Sequence, residues 1–216
     1  MLQSHLGGYP AIEYLRQSAL SIGRNLPECR AWSACNHPLC PACNGRKSRL
    51  LGKQLYQSAV KLPESRLKFL TLTSRNVELP ALRQASQEVM SATRKTLKIL
   101  GIAHSAVRSE FSVDEWVRSY HPHSHSLIST PPNGKNYVKT ADWQDAWLSE
   151  LPQWLHPIEG GSHIKAIDNL ERACGYIAGN PYKKATPETV GEIMAGIAAL
   201  KGLQRFSTSG YFRTKD

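Results

Sequence analysis

From Leu67 onward the chain alternates short apolar, β-branched runs with longer stretches whose apolar residues fall at helical spacing. "LKFLTLTSRN" opens as a buried strand. "ELPALRQASQEVMSATRKTLKILG" predicts a long helix ending at Gly101. "AHSAVRSEFSV" and "VRSYHPHSHSLIST" are two strand-like runs separated by about a turn's length, and "PPNGKN" is a loop. "TADWQDAWLSEL" begins with a capping threonine or aspartate and predicts a helix. "SHIKAID" is a short strand, and "NLERACGYIAGN" a short helix stopped by Pro181. "TPETVGEIMAGIAALKG" is another helix, with Pro187 at its first helical position after Thr186. The order strand, helix, two strands, helix, strand, helix predicts an α+β fold. Its antiparallel central sheet is expected to be covered by helices on one face, and no repeats are visible.

The pattern before Leu67 differs. "YPAIEYLRQSALSIGRNL" carries Ile12, Leu15, Ala19 and Ile22 at helical spacing. "GRKSRLLGKQLYQSAVKL" reads as a basic amphipathic helix. The change near Pro63 suggests an N-terminal helical, cysteine-rich region over 1–62 and a sheet domain over 63–216.

Composition narrows the class. The chain has 216 residues with 41% hydrophobic and 20% charged positions, which suits a globular protein. Its formal net charge of +10 favours a polyanionic partner, and nucleic acid is the commonest. A merely basic enzyme is the alternative. No apolar run reaches the about 18 residues a membrane-spanning helix needs. No secretory signal is visible at the N-terminus, so a cytoplasmic location is expected.

Cys29, Cys35, Cys40 and Cys43 crowd into "CRAWSACNHPLCPAC". Clustered thiols in a reducing compartment more often hold metal than form disulfides, and four thiolates complete a tetrahedral zinc shell. The first half is irregularly spaced, so His37 is an alternative to Cys35. Four protein ligands leave no open position, which makes this a structural zinc site; buried or redox-active thiols are the other reading. Arg46, Lys47 and Arg49 follow near the start of a helix, where cations oppose its dipole. A nearby phosphate would offset that cost, and a solvated face is the bland alternative. Lys183 and Lys184 pose the same choice.

The sharpest chemistry lies in "SYHPHSHSLIST". In a strand, His121, His123 and His125 share one face, with Leu127 next on the same side. Imidazoles spaced this way in an apolar strand suit a divalent metal ion such as magnesium or manganese, with an oxygen ligand beside them. A loop centred near Trp116 sets Glu110 opposite His123 in an antiparallel pair. A tight turn at Asp114–Glu115 instead sets His104 opposite His125.

"YHPHSHSLI" resembles the HUH motif, histidine–bulky residue–histidine, of rolling-circle nucleases. Ser124 stands where that family usually carries a large hydrophobe, which is expected to loosen packing beneath the site while leaving the ligands intact. Three further segments resemble the replication initiators of small rolling-circle plasmids: "FLTLTSRNVELPALRQ", "CPACNGRKSRLL" and "ALKGLQRFSTSGYFR". The resemblance runs from about residue 29 to 213. It implies an HUH-nuclease-like fold and metal-dependent, site-specific nicking and joining of single-stranded or nicked origin DNA. It places the nucleophile at Tyr176, which would form a 5′-phosphotyrosine, with Tyr182 as competitor. It favours Glu110 as the third metal ligand beside His123 and His125, and leaves His121 toward substrate or solvent. Some relatives carry a water-activating glutamate four residues before the tyrosine. Here that residue is Arg172, and Glu171 lies five before, so termination chemistry departs from the pattern. No "GxxxxGK" loop is present, so a host helicase, with a polymerase, is the implied partner. The alternatives are a single-strand transposase or mobilisation relaxase of the same chemistry, and a non-catalytic, zinc-stabilised DNA-binding regulator.

Overall fold

A computed structural model describes residues 41–114, 116–131, 138–179 and 189–213. Cys29, Cys35, Cys40 and His37 lie outside the described residues, as do Tyr182, Lys183 and Lys184. The elements in chain order are helix α1 (Pro41–Ala59), strand β1 (Leu67–Thr73), helix α2 (Leu79–Ile99), strands β2 (His104–Asp114) and β3 (Ser119–Ser129) and helix α3 (Thr140–Glu150). Strand β4 (Ser162–Ala166), helix α4 (Leu170–Ala178), helix α5 (Val190–Ala199) and strand β5 (Phe206–Ser209) follow.

From Leu67 onward the predicted order of elements is present; the helix predicted over "YPAIEYLRQSALSIGRNL" lies outside the described residues, and Lys139, not a threonine or aspartate, stands at the N-cap of α3. Helix α2 ends where Gly101 takes φ +68°, a left-handed conformation open to glycine. Gly101 N–H then donates to Lys98 O at 3.1 Å and Ile102 N–H to Leu97 O at 2.8 Å, closing the last turn. Strand β5 was not expected as a strand: "FSTS" is too short to show a period.

Among the described residues the strands form one sheet in the order β4-β1-β3-β2-β5. Every neighbouring pair is antiparallel. Helices cover both faces of it, not the single face expected. The reason is visible in the strands. Leu70 and Leu72 point one way and Leu67 and Phe69 the other; Ile128 and Leu127, and Val107 and Ala106, divide likewise. Apolar residues of both parities require a layer on each side. On one face, Leu70, Leu72, Val107 and Ile128 bury against Leu82 and Val89 of α2, Trp147 of α3 and Ile197 of α5. On the other, Leu67, Ala106 and Leu127 bury against Leu55 and Ala59 of α1 and Cys174 and Ile177 of α4.

Helix α1 therefore shares its core with the sheet and with α4. The two helices approach closely at a glycine: a Cβ on Gly52 would lie 3.7 Å from Gly175 Cα. The second face is apolar at one end only. Beyond Leu127 it carries His125 and His123, beyond Ala106 it carries Arg108 and Glu110, and beyond Phe69 it carries Thr71. Helix α4 spans the boundary between the apolar and polar ends, and this fixes where the site forms. No described helix is long and apolar enough to cross a membrane.

Candidate active site

The β2–β3 hairpin sets the register. Glu110 pairs with His123 and Arg108 with His125, while His104 faces Ser129 at the far end of the ladder. The alternative register with His104 opposite His125 is thus excluded. The side chain of Asp114 builds the turn by accepting from Trp116 N–H at 3.0 Å and Val117 N–H at 3.3 Å. Arg118 takes φ 47° to complete it.

Cross-strand pairing brings Glu110, His123 and His125 together, with one potential ligand atom from each within 4.8 Å of the others. Glu110 Oε2 lies 4.0 Å from His123 Nε2 and 3.9 Å from His125 Nε2. Both rings are held by their other nitrogen. His125 Nδ1 shares a 3.1 Å hydrogen bond with the Thr71 hydroxyl, and His123 Nδ1 donates to the His121 carbonyl at 2.9 Å. A ring whose Nδ1 is engaged presents Nε2 to the centre, which is how protein metal sites orient imidazole. His121 stands outside the set, with Nδ1 2.7 Å from Asn76 Oδ1.

The donor set fits a divalent cation. Burial drives His125 down to about 3, assisted by His123 and Lys165, and it lowers His123 as well. Both imidazoles are therefore neutral, as ligation requires. Burial raises Glu110 to about 7 against the pull of Arg108 and Arg205. A buried carboxylate whose ionisation is disfavoured by desolvation gains most from an added cation.

Tyr176 completes the site from α4. Asn169 caps this helix by accepting the Arg172 N–H at 2.8 Å. Capping fixes the helical phase, and the Tyr176 hydroxyl comes to 3.3 Å from His125 Nε2. The tyrosine ring stands edge-on to His125 at 5.0 Å and to Phe69 at 5.6 Å. It remains 52% exposed, so its hydroxyl end is reachable. Burial raises its pKa, and Glu110 raises it further. Arg108 ties helix to sheet: it donates to the Ile177 carbonyl and, at 3.2 Å, to that of Ala178, with Nε 3.9 Å from Glu110 Oε1. Beside the tyrosine, a cleft of about 440 Å³ runs between β4 and α4, bordered by Phe69, Lys165, Asp168 and Arg172.

Desolvated donors, a cleft and an aromatic hydroxyl at hydrogen-bond reach form a chemically coherent centre. The profile of the Rep_1 family, described as replication protein, matches residues 28–176 and so ends on that tyrosine. The chain belongs to this family. It is 32% identical to a "Protein rep" from Lactiplantibacillus plantarum over 167 residues, covering 70% of this chain and 50% of that one. A "Protein rep" from a Bacillus species is 33% identical, over 63% of this chain and 48% of the other. One from Bacillus amyloliquefaciens is 32% identical, over 61% and 41%. The chain thus spans about half the length of the curated relatives it matches. No solved structure matches it significantly.

The remaining predicted positions fall as follows. Glu171 is exposed in the first turn of α4, about 140° around an ideal helix from Tyr176 and not among the cleft residues. Arg46, Lys47 and Arg49 are exposed on α1, and Cys43 is buried near its start. Thr71, Arg108, Lys165 and the cleft face of α4 carried no signal in the sequence. Their roles depend on which strands and helices become neighbours. Ser124 does not loosen the sheet. It is fully buried on the opposite face, 2.8 Å from the Thr93 hydroxyl of α2.

Proposed function

We propose that this chain nicks and rejoins one strand of origin DNA as part of a rolling-circle plasmid replication initiator, through a 5′-phosphotyrosine at Tyr176. The observation that carries this reading is the Tyr176 hydroxyl, 3.3 Å from a histidine of the Glu110–His123–His125 cluster. Membership of a replication-protein family and relatives named "Protein rep" support it.

The Tyr176 oxygen attacks the scissile phosphorus and loses its proton as the bond forms. The bond from phosphorus to the 3′ oxygen breaks, and that oxygen takes up one proton. One phosphodiester is exchanged for another, so its energy is kept and a 3′-hydroxyl attacking in reverse rejoins the strand. His123, His125 and Glu110 would hold magnesium or manganese, which supplies a Lewis acid for the phosphate. Burial and Glu110 raise the Tyr176 pKa, so the phenol is protonated before attack and its proton must leave as the bond to phosphorus forms. Arg108 holds α4, and with it the tyrosine, against the strand that carries Glu110. Glu171 lies outside this scheme because its helical phase turns it from the tyrosine. A host helicase that opens the duplex and a polymerase that extends the 3′-hydroxyl are the partners the scheme requires. The cysteine cluster, with Cys29, Cys35 and Cys40 outside the described residues, is proposed to hold a structural zinc.

The test is incubation with Mn²⁺ and labelled single-stranded origin fragments, followed by mass spectrometry of the adduct peptide. The modified residue is expected to be Tyr176. Tyr176→Phe is expected to bind DNA and form no adduct. Normal adduct formation by that variant would sink the assignment.

A further inference from the structure

The cleft beside Tyr176 has a direction that the nicking reaction gives meaning. In phosphoryl transfer the attacking and leaving oxygens lie roughly in line through phosphorus. With Tyr176 attacking, the leaving 3′ oxygen and its upstream nucleoside must depart away from the tyrosine. The cleft of about 440 Å³ lies on the tyrosine's side of the centre: Tyr176, His125 and Thr71 are among its lining. Glu110 and His123 do not border it. A cleft on the attacking side favours the nucleoside on the 5′-oxygen side of the phosphate over the departing one.

Resting on the nicking reading above, we infer that this cleft seats the nucleotide whose 5′-phosphate Tyr176 captures, with Arg172 and Lys165 as its phosphate clamp. Arg172 stands four residues before Tyr176, hence on the same helical face, and Asn169 fixes that face by capping the helix. A cation thus occupies the position from which a carboxylate would otherwise face the tyrosine. Lys165 reaches in from β4, its Nζ 5.8 Å over the Phe69 ring. The two cations line the space where the next backbone phosphate of an entering strand must pass. Phe69 offers apolar surface to sugar and base. Asp168, at the loop between β4 and α4, also borders the cleft. Its carboxylate repels phosphate but accepts from an exocyclic amine, which places a base edge there. The volume falls in the range of small-ligand sites, about 300–1,000 Å³, and is too small for a duplex.

The experiment measures equilibrium binding, with Mg²⁺ present, of a 5′-phosphorylated oligodeoxynucleotide that has no bond left to cut. Two companion probes lack the base at the first or at the last nucleotide. Loss of the first base is expected to weaken binding about tenfold, and loss of the last to leave it within about twofold. Lys165→Ala combined with Arg172→Ala is expected to weaken the intact probe by about tenfold while keeping the difference between the two abasic probes, because Phe69 and Asp168 still meet the base. Equal binding of both abasic probes overturns the inference. So does a double variant that binds the intact probe normally. These outcomes leave the nicking reading standing, because the covalent adduct at Tyr176 is scored separately.

Discussion

Ser124 shows how a single position is reconciled with its surroundings. A hydroxyl in the middle of a buried strand is costly unless bonded. Thr93 donates to the Val89 carbonyl at 2.7 Å, so its one proton is committed and Ser124 must donate to it. Thr93→Val therefore strands the serine and is expected to cost about 1–3 kcal/mol in denaturant unfolding. Thr93→Val with Ser124→Ala removes both partners and should recover much of that loss, since neither hydroxyl is left unpaired. Additive losses in the double variant would refute the coupling. Glu110 gives the second residue-scale expectation. Its carboxyl is held up to about 7 by burial, so below that pH a proton competes with any cation. Affinity for Mn²⁺ should fall about tenfold per pH unit below about 7 and level off above it. Calorimetric titrations that are flat from about pH 5.5 to 8 would exclude Glu110 as a ligand.

At the scale of elements, two close approaches position the site. One is α1 on α4 at Gly52, which backs the tyrosine helix with a second helix. The other is α5 on β2. A Cβ on Gly196 would fall 2.4 Å from Phe111 Cζ, and Phe111 is buried against Tyr120 at 5.6 Å with little room to move. Gly196→Ala gains helix propensity but must displace that ring. Overpacking of this kind costs about 1–3 kcal/mol, so a lowered melting temperature is expected despite the better helix former. An unchanged or raised melting temperature would show that Phe111 yields freely. The hairpin illustrates what a sequence reading supplies at this scale. The run from "VRSEFSV" to "HPHSHSL" allowed two registers. The Asp114 side chain and the left-handed Arg118 select the one that pairs Glu110 with His123.

For the whole molecule, the charge of +10 sets the expected physics of DNA binding. Affinity for single strands should fall linearly on a log–log salt plot, because each phosphate contact releases condensed counterions. Replacing Arg46, Lys47 and Arg49 together should flatten the slope by about 0.7 for every contact truly lost. An affinity indifferent to salt would remove nucleic acid as the partner that the charge suggests.

The sequence by itself determined the alternation of strands and helices, the antiparallel hairpin, the convergence of His123 and His125 on one face and the family to which the chain belongs. These are local: they depend on periods of about two and 3.6 residues, on caps and on short motifs. The tertiary structure decided the rest. It showed that helices cover both faces, because strands apolar on both parities do not announce which layer takes which side. It chose β1 as the neighbour that gives Thr71 to His125, and α4 as the helix that lays Tyr176 over it. It also turned Arg172 and Lys165, far apart in character from any motif, toward one cleft. Contacts between residues 51 or 107 positions apart, such as Tyr176 to His125 or Tyr176 to Phe69, are set by packing of the entire core, and no window of sequence contains them.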